Sequence, residues 1–416
     1  MYFLIILLLF EQIHLNIIIF PFTKKWINSI NIELFTEISI GTPPQRLPSI
    51  LTFDSYSIYI PDDSFKNCIF NQLDSKTLIP NIYDKILECN FEDNSIPCST
   101  AKDIGLVYNE EKDNNLFTIY FILLTNYSNT YNFNGSLIGL KNKPPSSKIL
   151  THLIWEMKTN SLIDNYVFKI QYKNDNEGEL IIGNYPHEYN NDFEEKNLRL
   201  TDGNALGDGW SIKFSNIISD NYISNINIGK FSLSIAGIVV PEDYSLFLNE
   251  TFFKKYFTDN ICKIQTINAG KNNYFYQYIC DKRFNANYFR NLKFENKNLN
   301  YTFEFTQKDL FFHYNNYIYS LIIFSNKKIN SWILGEIFIK KYQLIFEPNE
   351  SSIGIYLETQ KMNVYYVIFS ILIISVFILI YLLYKQLITK KRKIRANELE
   401  ENIDYTSKED YKKYKN

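Results

Sequence analysis

Between Met362 and Tyr384 the chain runs for 23 residues without one charged side chain. A stretch of that length and character spans a bilayer with some tilt. Lys385, Lys390, Lys391, Arg392, Lys393 and Arg395 follow at once, and cations gathered on one flank mark the cytoplasmic side. The sequence therefore predicts a single-pass type I membrane protein, with a transmembrane helix over 362–384 and a cytoplasmic tail over 385–416. A tail this charged and this poor in apolar residues is expected to be disordered or weakly helical. It also excludes a lipid-anchor signal, which would end in the apolar run. At the other end, Tyr2–Phe10 is apolar but too short to span. It reads as a signal peptide over residues 1–20, with a short lead-in to follow. Everything between is then lumenal or extracellular, in the secretory or endolysosomal pathway or at the cell surface.

That compartment gives the five cysteines their meaning. Cys262 and Cys280 flank a polar, Gly-containing loop and are expected to pair. Cys89 and Cys98 bracket Asn90–Pro97 in the same way, and Cys68 either replaces one of that pair or stays free. Sequons at Asn126, Asn134, Asn249, Asn300 and Asn349 permit glycosylation. A formal net charge of -2 gives no field for nucleic acid. The four histidines, His14, His152, His187 and His313, have no metal-ligand spacing, so neither a metal nor a cofactor is expected. His187 reads as a surface residue rather than a base.

From Ile32 onward short alternating runs, such as Leu180–Ile182 and Ser211–Phe214, are separated by Asn, Asp and Gly clusters. With 32 Tyr and 33 Phe, this pattern argues for all-β sheets. Helical periodicity is confined to Lys148–Met157 and Glu250–Phe257. Ile40–Pro61 reads as two strands around Gly41-Thr42-Pro43-Pro44, ending in the alternating Ser57-Ile58-Tyr59-Ile60.

That hairpin resembles the first active-site hairpin of pepsin-like aspartic proteases, and five further elements resemble the family in the right order. They are Asn134–Leu140, Asp164–Tyr172, Gly178–Tyr185, Trp210–Phe214 and Ser331–Phe338. The resemblance implies two β lobes facing each other across a cleft, over 32–185 and 186–358, with the transmembrane helix appended. It implies that polypeptide binds in the cleft. With the Gly-Thr-Pro-Pro-Gln turn this near the N-terminus, little room is expected for the inhibitory propeptide the family often carries.

In such a protease each lobe delivers one Asp to a shared water. Two adjacent carboxyls cannot both ionise cheaply, so one serves as acid and the other as base. Counted without gaps from Gln45 to Pro61, the first Asp position falls on Thr52, with Thr52-Phe53-Asp54 in the Asp-Thr-Gly slot. Gly237–Leu248 matches the second loop without a gap and puts Val240 at the second position. Neither side chain can share the dyad proton. A rival register uses Asp54 and Asp243, since Asp243-Tyr244-Ser245 echoes Asp54-Ser55-Tyr56. It needs an insertion and a matching deletion, and it puts Tyr56 where the family has glycine. The flap, counted back from Asp103, places Phe91 and Ser95 over the cleft, or else is an ordinary surface hairpin. The expectation is a membrane-anchored pseudoprotease, with an active endopeptidase using Asp54 and Asp243 as the alternative.

Overall fold

The computed structural model describes residues 16–61, 70–80, 87–91, 94–109, 112–124, 135–142, 152–207, 209–268, 274–357 and 364–413. The chain forms two compact units, one ending at Leu357 and one beginning at Glu358.

The first unit is built on three sheets of fourteen, eight and four strands. The fourteen-stranded sheet takes most of its strands from the N-terminal half. Three more, Leu198–Asp202, Ile345–Glu347 and Ser352–Tyr356, return to complete it. The eight- and four-stranded sheets are drawn from strands between Ser211 and Leu334. The alternating pattern led one to expect all-β sheets and the family resemblance a bilobal pepsin-like fold, and the strand-rich, mixed-sheet structure agrees with both.

The chain enters the large sheet earlier than its sequence suggests. Ile18–Trp26 is a strand lying antiparallel to both Ile32–Ile40 and Glu177–Ile182. Ile18, Phe20 and Phe22 point inward, at 2%, 5% and 2% exposure. A signal-peptide boundary at residue 20 would remove the start of this strand, and a first lobe beginning at Ile32 would omit it. The sequence hides this strand because the run Ile17–Phe22 merges by composition with the apolar run before it, and only its pairing partners tell it apart. Residues 1–15 lie outside the described residues.

Where the two halves of the chain meet, Phe168 pairs with Phe346 across neighbouring strands. Their rings stack at 5.0 Å, and Phe53 packs 5.0 Å from Phe346. Trp210 closes this cluster, fully buried, its indole N–H donating to Leu140 O at 2.6 Å. A buried indole needs such a partner.

Helices are short and peripheral. Leu153–Thr159 overlaps the expected 148–157 segment, of which 148–151 lie outside the described residues. Glu242–Leu248, Asn249–Phe253 and Lys254–Thr258 follow without a break and enlarge the expected 250–257 helix at its start. Cys262 and Cys280 face each other across a hairpin and form a disulfide. Cys98 is disulfide-bonded too; the side chains of Cys68 and Cys89 lie outside the described residues.

The second unit holds one helix, Val364–Lys413. Its segment Leu372–Arg395 is long and apolar enough to cross a membrane, consistent with an anchor. The tail expected to be disordered or weakly helical continues this helix to Lys413. A helix already nucleated by the apolar segment propagates through Lys-, Arg- and Glu-rich sequence at little cost.

Candidate active-site loops

The first loop is held by three strands. Gln45–Thr52 enters it, Ile58–Pro61 leaves it, and Ser136–Gly139 runs beside both. The entering strand is parallel to its neighbour, with Leu51 opposite Ile138 and Thr52 opposite Gly139. The leaving strand is antiparallel to the same neighbour, with Ile58 opposite Ile138 and Tyr59 opposite Leu137. Gly139 N donates to Ser57 O at 3.1 Å and closes the loop.

The same arrangement recurs in the second half of the chain. Ile228–Phe231 enters parallel to Trp332–Leu334, with Phe231 opposite Leu334. Ile238–Val239 leaves antiparallel to it, with Ile238 opposite Leu334 and Val239 opposite Ile333. Gly335 N donates to Gly237 O at 3.0 Å. Matching these registers sets Gly139 on Gly335, Ser57 on Gly237 and Ile58 on Ile238. The ten residues Thr52–Pro61 then superpose in pattern on Ser232–Pro241 without a gap, both ending in proline.

This equivalence corrects the second site position. Val240 corresponds to Ile60, near the end of the leaving strand, so it is not the partner of Thr52. Ser232 is. The two loops agree in detail. Thr52 Oγ1 accepts the N–H of Asp54 at 3.1 Å, and Ser232 Oγ accepts the N–H of Ser234 at 3.3 Å. Phe53 and Leu233, next in line, are buried at 2% and 3%. Asp54 and Ser234, next again, are exposed. Thr52 and Ser232 thus stand at matching places in the two registers.

Asp54 and Asp243 occupy non-equivalent places in the two halves of the chain. The loop-two counterpart of Asp54 is Ser234, which has no carboxyl. Asp243 lies beyond Pro241 on the helix Glu242–Leu248, past the end of the leaving strand. There it accepts a hydrogen bond from the Tyr222 hydroxyl at 2.5 Å. Burial, with Asp243 beside it, holds the Tyr222 phenol above its usual range, so the phenol remains the donor.

Leu87–Phe91 and Asn94–Asn109 form the expected hairpin, with Phe91 opposite Asn94 and Asn90 opposite Ser95. The side chains of Phe91 and Ser95 lie outside the described residues. The Asp103 carboxylate is 2% exposed and accepts hydrogen bonds from Ser75, Thr77 and its neighbour's N–H. Of the sequons, Asn300 and Asn349 are exposed, while the amide oxygen of half-buried Asn249 accepts the Tyr278 hydroxyl. Asn126 and Asn134 lie outside the described residues. Among those described, no cluster of His, Cys, Asp or Glu could hold a metal ion.

Behind loop two, Lys24 Nζ and Glu336 Oε1 form an ion pair at 2.8 Å, their side chains 5% and 4% exposed. Burial pushes the Glu336 carboxyl up, against the pull of Lys24. A cavity of about 570 Å³ opens beside the pair, walled by Trp26, Ala236, Phe312, Tyr319, Leu321 and Ile337. Ala236 belongs to loop two itself, a residue role that the shifted register concealed.

Behind loop one, His152 is 1% exposed. Its Nδ1 accepts the Ile154 N–H at 3.2 Å and caps the helix, and its Nε2 donates to Lys141 O at 3.0 Å. Burial drives its pKa down to about 4, so it folds as a neutral ring. The unfolded chain binds an extra proton between pH 6.5 and about 4, and stability contributed by neutral His152 is lost as pH falls through that window. The full effect is about 3 kcal/mol. Glu156, whose carboxyl burial raises to about 7, acts in the opposite sense. Denaturant melts of wild type and His152→Asn isolate the histidine: Asn keeps the cap, and the variant should lose less stability than wild type from pH 7 to about pH 4. Parallel curves would show that His152 does not stay neutral in the fold.

Two β bodies, each closing an equivalent loop over a glycine-bearing strand, define the class: a bilobal fold of the aspartic-protease type. Residues 33–357 match the family model of the eukaryotic aspartyl proteases, and the chain belongs to that family. A search of curated proteins finds no match.

Proposed function

We propose that this family member is a membrane-anchored pseudoprotease that binds polypeptide between its lobes without cleaving it. One observation carries the reading: a hydroxyl, Thr52 or Ser232, stands at both equivalent loop positions. A hydroxyl is neutral at any relevant pH, so neither can hold the shared proton or take one from water. Each hydroxyl still accepts the loop N–H two residues on, so the turn keeps its acceptor without a carboxylate. Losing two facing carboxylates also removes a repulsion, which the fold should tolerate.

Binding would use strand-like pairing of an extended chain, with Phe91 and Ser95 on the covering hairpin. The aromatic cavity beside Ala236 would take an apolar side chain. The ectodomain would be lumenal or extracellular, exported by a leader ending upstream of Ile18 and open to glycosylation at Asn300 and Asn349. Active cleavage by Asp54 and Asp243 is disfavoured by Ser234 and by the bond from Tyr222.

The test is a cleavage and binding assay on the full-length protein, with a mixed peptide library from about pH 3 to pH 7. The expected result is saturable binding with no cleavage above that of a Thr52→Ala/Ser232→Ala variant. Cleavage abolished by Asp54→Asn or Asp243→Asn would overturn the reading.

A further inference from the structure

The segment following the apolar stretch carries more cations than orientation requires. Six of the eleven residues from Lys385 to Arg395 are Lys or Arg, and no acidic residue occurs before Glu398. All six basic side chains are exposed on the continuous helix that contains the apolar segment. At about 100° per residue they spread around the whole circumference, leaving no gap wider than about 100°. At about 1.5 Å per residue they cover about 15 Å of axis, through a headgroup layer about 5–8 Å deep and beyond it.

This arrangement suits one kind of occupant. A protein groove reads one face of a helix and needs an apolar stripe, and here only Leu387, Ile388 and Ile394 are apolar among eleven residues. A helix lying flat on a membrane would need its cations on one side. Cations on every side of a helix that rises directly out of an apolar segment face a ring of headgroups. Long Lys and Arg stems lie along apolar surface while their charged ends reach out.

We propose that Lys385–Arg395 is a lipid-recognition collar that gathers acidic glycerophospholipids around the emerging helix. The proposal rests on the membrane-anchored reading. Each basic residue at an anionic surface favours binding about fivefold, and the attraction is screened by salt. The collar would therefore hold the protein in membrane regions rich in acidic lipid, independently of what the ectodomain binds.

The experiment uses the full chain reconstituted in bilayers of phosphatidylcholine with a minor fraction of phosphatidylserine. After carbonate washing, the protein is taken up with its adherent lipid, and the lipid is quantified. Wild type should carry phosphatidylserine enriched several-fold over the bulk mixture, falling toward the bulk ratio in high salt. The variant Lys390→Gln/Lys391→Gln/Arg392→Gln/Lys393→Gln should resist carbonate equally and carry lipid near the bulk ratio. Equal enrichment in wild type and variant, or enrichment indifferent to salt, would overturn the collar alone. Wild type removed by carbonate would overturn the membrane reading and the collar with it.

Discussion

Replacing Lys24 by methionine is expected to cost the fold about 3–5 kcal/mol, the range for removing one partner of a buried ion pair. The pair joins residues 312 positions apart and is 5% and 4% exposed. It fastens the first strand to the segment that closes loop two. Without Lys24, the Glu336 carboxylate stays buried beside the 570 Å³ cavity with its principal counter-charge gone. Its pKa, already raised by burial, rises further, so it takes up a proton instead. The penalty should therefore be large at pH 8 and shrink as pH falls through the raised Glu336 pKa. Methionine preserves the stem that packs near Trp26, so lost packing contributes little. Denaturant melts of Lys24→Met, Glu336→Gln and the double variant measure the coupling. The double variant should recover most of the loss, because two neutral groups leave no uncompensated charge. A single variant costing less than about 1 kcal/mol at pH 8, as an exposed pair would, contradicts this account.

That same first strand shows where a sequence stops being informative. The alternating pattern announced the sheets, and the Gly41–Gln45 turn and Pro61 fixed loop one from both ends. Between two such markers there is no room for a shift, and the count leads to Thr52. Loop two lacks a leading turn of that kind. The counterpart of Thr52 there is a serine in a run of small and apolar residues, so a match beginning eight residues later, at Val240, looks equally good by hydrophobicity. The chain did contain a sufficient signal. Ile58-Tyr59-Ile60-Pro61 parallels Ile238-Val239-Val240-Pro241, and a hydroxyl residue stands nine positions before each proline. Comparing the chain with itself, rather than with an intact protease, would have found Ser232. Ile18–Trp26 could not be recovered in that way, because the start of that strand is set by partners such as Leu180 and Phe35. The ion pair at Lys24 was equally hidden: nothing local couples residue 24 to residue 336.

Adding one methyl group at Gly139 or at Gly335 should disrupt the two loops to a similar degree. A Cβ on Gly335 would stand 2.2 Å from Ile235 O and 2.3 Å from Gly237 O; on Gly139 it would stand 2.5 Å from Ser55 O and 2.6 Å from Tyr56 C. All four obstructing atoms are backbone, which cannot rotate aside as a side chain does. Neither glycine has a positive φ, so the effect is steric rather than conformational. Relief requires the loop to lift from its supporting strand, stretching the Gly139–Ser57 or Gly335–Gly237 hydrogen bond that closes it. Each variant should lose more than about 3 kcal/mol, above the usual range for an overpacked core. Gly207→Ala is the control: it meets no atom within 4 Å but has φ +72°, so it should cost only about 1 kcal/mol. The two loop variants should also lose peptide binding together, even where enough folded protein remains to assay. If Gly139→Ala unfolds the protein and Gly335→Ala does not, the equivalence of the loops fails, and with it the place of Ser232 opposite Thr52. If both behave alike, the two hydroxyls stand on matching supports, and the proposed loss of acid–base chemistry has one structural cause repeated in each loop.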